Sequence, residues 1–109
     1  MKISGPCHYD EFLATLASES RLAILGHLVG REMTVSELIE EMGMSQSAVS
    51  HQLAFLRRAG LVHVRRDGRW TFYTAKTDCL VACCRRLFEQ LNVRRSVQEN
   101  SQELVGEAL

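Results

Sequence analysis

Four cysteines are the most reactive side chains of this 109-residue chain, and three of them stand in the segment CLVACC. Cys79 and Cys83 are four residues apart, so on a helix they share one face, with Cys84 beside them. Thiolates are preferred ligands of soft ions such as As(III), Cd(II) and Hg(II). Cys7 adds a ligand if its segment packs on the same helix. The spacing therefore predicts a site for As(III) or another soft metal at Cys79, Cys83 and Cys84, with Cys7 as a conditional fourth ligand.

The same cysteines also fit thiol modification or simple packing. Cys79 lies near a predicted helix N-terminus, and Arg85 and Arg86 follow Cys84. Both features favour the thiolate, and hence oxidation or persulfidation, whereas unreactive free cysteines are often buried in cores. The N-terminus lacks the apolar run of a signal peptide, and no segment approaches membrane-spanning length. We therefore expect a cytoplasmic protein with no membrane partner, and no structural disulfide.

A second candidate site is the segment SQSAVSHQLAFLRRAGLV, which runs from Ser45 to Val62. Ser45 is a suitable N-cap for a helix that ends at Gly60. The inward face of this helix repeats at helical spacing and consists of Val49, Leu53 and Leu56. The outward face begins with short or medium-length hydrogen-bonding side chains: Gln46, Ser47, Ser50 and His51. Such side chains suit base edges in a DNA major groove, which admits one helix.

Arginines cluster around and after this helix, although the whole chain has zero net charge. Residues 10–44 hold two arginines against seven acidic residues, whereas residues 45–70 hold five arginines against one. Two strand-like runs flank Asp67-Gly68, which predicts a hairpin with both turn positions at positive φ and Arg65 opposite Trp70. The basic side chains predicted to neutralise DNA phosphates are Arg57, Arg65, Arg66 and Arg69.

Four further helices are predicted to position these groups. They cover Tyr9–Ala17, a stretch capped by Ser20, Ser36–Met42, and a stretch from Thr77 or Asp78 to Asn92. The inward side chains of the second helix are predicted to be Leu22, Leu25, Leu28 and Val29. The fold class is mainly α with a small β-hairpin, a winged helix-turn-helix of about five helices. Residues 1–93 form this domain, and residues 94–109 form a polar tail, helical or disordered.

The sequence SQSAVSHQLAFLRRAGLVHVRRDGRWTFYTA resembles the ArsR/SmtB family of bacterial repressors. ESRLAILGHLV and MTVSELIEEMGMS resemble its second and third helices, so the resemblance covers most of the chain. It implies a homodimer, formed through the first and fifth helices, that binds an imperfect palindrome in double-stranded DNA and represses transcription. A ligand at a sensor site then releases the DNA. The predicted apolar face of the fifth helix suits that interface: Leu80, Cys84, Leu87, Phe88 and Leu91.

The positions used by familiar sensors of that family hold other residues in this chain. The thiol pair at the start of the third helix corresponds to Thr34 and Ser36, and the cysteine of the second helix corresponds to Gly26. The carboxylate–histidine site of the fifth helix falls on Thr77, Cys79, Gln90 and Val93. The CLVACC cysteines thus remain the predicted sensor, with As(III) or another soft metal as inducer and persulfide or an oxidant as the alternative.

Two other classes of function are less compatible with the sequence. A thiol enzyme needs a base near its nucleophile, yet no histidine lies close in sequence to the CLVACC segment and there is no CxxC, so we expect no enzyme activity. A winged helix that binds only proteins would not need three arginines at the tip of its hairpin. Salt-sensitive binding to DNA separates this last alternative from a regulator.

Overall fold

A computed structural model describes residues 7–92 of the chain as five helices and one antiparallel hairpin. The elements are α1 (Tyr9–Thr15), α2 (Glu19–His27), α3 (Val35–Met42), α4 (Gln46–Arg58), β1 (Val62–Asp67), β2 (Trp70–Ala75) and α5 (Thr77–Leu91). This confirms the predicted fold class. The proposed domain end at residue 93 and the tail 94–109 lie outside the described residues. None of the helices described between residues 7 and 92 is long and apolar enough to cross a membrane.

Side-chain caps set the starts of three helices. The Ser45 hydroxyl accepts a hydrogen bond from the Ala48 amide at 3.2 Å, as predicted for α4. The prediction for α2 was wrong: Ser18, two residues before Ser20, accepts from the Arg21 amide at 3.2 Å. Thr34 caps α3 in a reciprocal capping box with Glu37, so this helix begins one residue earlier than predicted.

The turn of the hairpin lies one residue later than predicted. Asp67 pairs with Trp70, so the two turn residues are Gly68 and Arg69, and only Gly68 has a positive φ, of 61°. A glycine at the first turn position alone meets the backbone requirement of a tight hairpin. The predicted pairing of Arg65 with Trp70 was therefore wrong; Arg65 lies opposite Phe72.

The core lies beneath α4. The predicted inward side chains of α4 are buried: Val49, Leu53 and Leu56. They pack with Ile24 and Leu25 of α2 and with Leu28, the residue that ends this helix. The predicted inward positions Leu22 and Val29 are instead exposed, by 44% and 48%. Each residue of a helix advances about 100° around its axis, so a face through residues 24, 25 and 28 leaves residues 22 and 29 outside it.

In α5 the two cysteines predicted to share one face are both directed into the protein. Cys79 and Cys83 are buried, whereas Phe88 and Leu91, predicted to share an apolar face with Cys84, are 52% and 62% exposed. The predicted cap was also wrong, since Lys76 precedes the first turn and makes no side-chain cap. Within that turn the Asp78 carboxylate accepts from the Cys79 amide at 2.9 Å.

Candidate nucleic-acid interface

The outward face of α4 presents the predicted base-reading side chains to solvent. Gly43, in the left-handed conformation at φ 65°, ends α3 and turns the chain into α4, completing the helix-turn-helix. The predicted base readers are all exposed: Gln46, Ser47, Ser50 and His51. Ser45 is exposed but uses its hydroxyl as the cap, and Arg57 is exposed in the last turn. A helix of this kind leaves its first turns free to enter a groove.

The hairpin, here called the wing, is attached to the segment before α3. Arg65 donates from Nε and Nη2 to the two carboxylate oxygens of Glu32, at 2.8 and 3.0 Å. Its guanidinium carbon also lies 4.4 Å from the centre of the Phe72 ring. A backbone bridge between Met33 and Tyr73 adds a second attachment. The wing therefore has a fixed direction relative to α3 and α4.

The arginines at the tip of the wing differ in their surroundings. Arg66 and Arg69 are exposed, and the guanidinium of Arg69 lies 5.5 Å from the centre of the Trp70 ring. Arg65, although exposed, directs its fork at Glu32 rather than along the tip. The hydrogen bonds from Arg65 hold the pKa of the Glu32 carboxyl below its ordinary value, and the reciprocal contact raises the pKa of Arg65.

The side of α4 that faces α2 is held by polar contacts that sequence reasoning missed. Arg21 donates from Nε to the Gln52 side-chain oxygen at 2.9 Å, and its guanidinium carbon lies 3.6 Å from the centre of the Phe55 ring. Gln52 and Phe55 are three residues apart, so they share one face of α4. The sequence carries no local signal of this contact, because its partners are separated by 31 residues.

The cysteines are arranged differently from the predicted thiol cluster. Cys7 and Cys79 are joined by a disulfide with their Cα atoms 5.9 Å apart, which corrects the expectation of no disulfide. Through this bond Cys7 itself does lie against α5, as the condition set for it requires. Cys83 and Cys84 are free. Among residues 7–92, no group of three or more histidine, cysteine or acidic side chains is placed to hold a metal ion.

The two free thiols have different environments. Cys83 is buried, and that burial raises the pKa of its thiol; the adjacent Cys84 adds to the rise and Arg86 opposes it. Cys84 is partly buried against the core. Nearby, Arg86 lies over the Tyr9 ring at 4.1 Å, and the Tyr9 hydroxyl donates to the Gln90 side chain. The start of α1 and α5 are thus joined by covalent, ring and polar contacts.

Apolar side chains remain exposed on α1 and α5. Five large apolar side chains of α1, of its C-cap residue and of α5 are more than one third exposed: Leu13, Leu16, Val81, Phe88 and Leu91. Val81 and Phe88 are seven residues apart, hence two turns along one face of α5. Exposed apolar side chains that share a helix face are typical of protein–protein interfaces.

Comparisons with known proteins identify what this architecture resembles. The family profile described as "Bacterial regulatory protein, arsR family" matches residues 18–64. The transcriptional activator HlyU of Vibrio cholerae is 40% identical over 83 residues, which are 73% of this chain and 77% of HlyU. The transcriptional repressor SmtB homologue of Synechocystis sp. is 38% identical over 81 residues, 74% of this chain and 61% of that protein.

A solved structure gives the same result in three dimensions. The structure of reduced HlyU from Vibrio cholerae N16961 matches with a TM-score of 0.61 and 38% identity, covering 75% of this chain and 85% of that one. The residues matched by the family profile cover α2, α3 and α4 and end within β1, so they include the exposed polar face of α4. These relatives are named as transcription regulators and not as enzymes.

Proposed function

Because this chain belongs to the ArsR/SmtB family of winged-helix transcription regulators, we propose that it is a sequence-specific DNA-binding repressor. One observation carries the proposal: the first two turns of α4 expose four short or medium-length hydrogen-bonding side chains beside a wing with exposed arginines. This combination matches the requirements of a major groove flanked by phosphates. The proposal places the protein with the chromosome, in the cytoplasm.

The residues of the interface have distinct roles in this proposal. The base edges are read by Gln46, Ser47, Ser50 and His51. Ser45 holds the start of α4, whose free backbone amides attract a phosphate. The phosphates of the DNA backbone are bound by Arg57, Arg66 and Arg69. Arg65 contributes chiefly by holding the wing against Glu32. Side chains that bind base edges select a sequence, whereas arginines that bind phosphates supply affinity for any sequence.

The proposed DNA-binding form is a homodimer that recognises an imperfect palindrome. Support comes from the exposed apolar side chains of α1 and α5, which a second copy would cover. Two recognition helices related by a two-fold axis then meet half-sites about one helical turn of DNA apart. One relative is named an activator and another a repressor. Repression is assigned here because binding alone blocks a promoter that overlaps the palindrome.

The DNA-binding proposal is tested by comparing two single substitutions. A duplex enriched by the wild-type protein from a randomised library serves as the specific site, and a shuffled duplex of equal composition serves as the control. Gln46→Ala should weaken specific binding by about 1–3 kcal/mol and leave shuffled binding unchanged. Arg66→Ala should weaken both. Equal effects of Gln46→Ala on both duplexes would refute base reading by α4.

We further propose that DNA affinity is switched at the cysteines of α5. The favouring observation is the Cys7–Cys79 disulfide, which ties the segment before α1 to the first turn of α5. Its formation removes two protons and two electrons from the thiols, and a low-molecular-weight disulfide that accepts them is reduced to two thiols. Because α1 and α5 carry the proposed dimer interface, this link changes the geometry that spaces the two copies of α4. Oxidation then releases the DNA.

A soft metal is the second candidate inducer at the same cysteines. Cys79 and Cys83 are buried on α5, and Cys7 is bonded to Cys79, so reduction of the disulfide would free two thiols beside that of Cys83 for As(III) to bind. Cys84 is partly buried. Anisotropy of the specific duplex with reduced protein separates the candidates. If the disulfide is the switch, oxidised glutathione should release the duplex and arsenite should not. Release by arsenite and not by oxidised glutathione would identify the soft metal as the inducer. Cys79→Ser should abolish either response, whereas Cys84→Ser, the matched control, should preserve it.

A further inference from the structure

Arg21 of α2 contacts both helices that flank it. From Nη1 it donates to the backbone oxygen of Ala14 in the last turn of α1, at 3.0 Å. From Nε it donates to Gln52 of α4, and its guanidinium plane covers the ring of Phe55. One side chain thus joins the end of α1, the start of α2 and the recognition helix α4. Arginine suits this position because its donors are fixed in one plane while its face stacks on an aromatic ring.

Gln52 is held at both ends of its amide. Its oxygen accepts from Arg21 at 2.9 Å, and its nitrogen donates to the Ser20 hydroxyl at 3.3 Å. Ser18, whose hydroxyl caps α2, lies 3.3 Å from the Ser20 hydroxyl. Gln52 directly follows His51, the last of the proposed base readers. The polar contacts therefore attach to α4 at a residue that is adjacent in sequence to the proposed DNA-contacting surface.

These contacts constrain motions of α4 that the apolar core leaves open. Burial of Val49, Leu53 and Leu56 is favourable but non-directional, so it permits small rotations and shifts of the helix along its axis. A hydrogen bond weakens steeply outside a narrow range of distance and angle. The two-ended attachment of Gln52 and the stacking on Phe55 therefore define the rotation of α4 about its axis.

We propose that Arg21 is a positioning residue for DNA recognition, which sets the rotation of α4 and links it to α1. The inference rests on the proposed function and assigns to Arg21 a role in specificity without a contact to a base. Since α1 contributes to the proposed dimer interface, the Ala14 contact also carries a change at that interface to the recognition helix.

The test compares Arg21→Lys with wild type for binding to the enriched and the shuffled duplex over a series of salt concentrations. Lysine keeps the charge but loses the planar fork and the stacking. We expect about a tenfold loss for the enriched duplex, comparable to one base contact, with unchanged affinity and salt slope for the shuffled duplex. Gln52→Ala should reproduce the loss without altering any charge. Arg31→Lys is the matched control, because Arg31 pairs with Glu41 of α3 and should change neither affinity.

Two results would overturn the inference. If Arg21→Lys or Gln52→Ala lowers only the melting temperature and both affinities stay at wild-type values, the network serves folding alone. If Arg21→Ala lowers affinity for both duplexes equally and reduces the salt slope by about one, Arg21 is a phosphate contact. Failure of the proposed function is seen separately, because the wild-type protein would then bind the enriched and shuffled duplexes equally.

Discussion

Arg65 on the wing and Glu32 before α3 form a two-point salt bridge, with nitrogen–oxygen distances of 2.8 and 3.0 Å. An arginine whose fork is occupied within the chain releases fewer counterions on meeting a phosphate than an arginine that is free. Arg66→Ala should therefore reduce the salt slope of DNA binding by about one, and Arg65→Ala by clearly less. Titrations against a shuffled duplex measure both slopes. Equal slopes for the two variants would show that Arg65 leaves Glu32 when DNA binds.

The same pair predicts a pH dependence of stability. Because Arg65 holds the pKa of Glu32 below its ordinary value of 4.5, the ionised carboxylate stabilises the folded state at pH values above that ordinary value. The contribution is lost as the pH falls through the lowered pKa. Since both groups are exposed, we expect a small effect. Urea unfolding of wild type and Glu32→Gln should differ at pH 7 and converge in acid; a constant difference would contradict this assignment.

The exposure of Phe88 on α5 leads to a prediction about the oligomeric state. Phe88 is 52% exposed, and Trp70 on the wing is a matched aromatic with 51% exposure. If a second copy covers α5, Phe88→Ala should weaken the dimer at least about tenfold, as expected for a central aromatic contact. Trp70→Ala should leave the dimer intact. Sedimentation equilibrium measures both. A monomeric wild type, or equal effects of the two substitutions, would rule out this interface.

The Cys7–Cys79 disulfide predicts a large dependence of stability on redox state. It joins residues 72 apart in sequence, so it restricts the unfolded chain strongly. The oxidised protein should unfold with a free energy about 2–4 kcal/mol higher than the reduced protein. Guanidinium unfolding under both conditions measures this. Cys7→Ser should abolish the difference in unfolding free energy between the oxidised and reduced protein, whereas Cys84→Ser should not. If the difference persists in Cys7→Ser, a disulfide between other cysteines causes it.

Local signals in the sequence were sufficient for α4 and less so for its neighbours. The Ser45 cap and the apolar spacing of Val49, Leu53 and Leu56 predicted both the helix and its exposed polar face. The Asp67-Gly68 pair located the hairpin but placed its turn one residue early, because only Gly68 needs a positive φ and Arg69 does not. The cap of α2 was predicted at Ser20 and lies at Ser18, and α3 was predicted to begin at Ser36 and begins at Val35, after the Thr34 cap.

Long-range contacts account for the parts of the site that the sequence did not predict. The partners Arg21 and Gln52, Glu32 and Arg65, and Cys7 and Cys79 are separated by 31, 33 and 72 residues. No periodicity or turn signal links residues so far apart, since their contact depends on how the helices pack. The sequence left the burial of Cys79 and Cys83 open for a similar reason, because it depends on how α5 packs against the rest of the protein.

The most direct test of the central claim is the binding of reduced wild-type protein to the enriched and shuffled duplexes, followed by fluorescence anisotropy at a physiological salt concentration. Specific recognition by α4 predicts at least about a thousandfold tighter binding to the enriched duplex. Gln46→Ala should reduce the ratio of the two affinities by weakening binding to the enriched duplex while binding to the shuffled duplex stays unchanged. Equal affinity of the wild-type protein for the two duplexes would contradict the account.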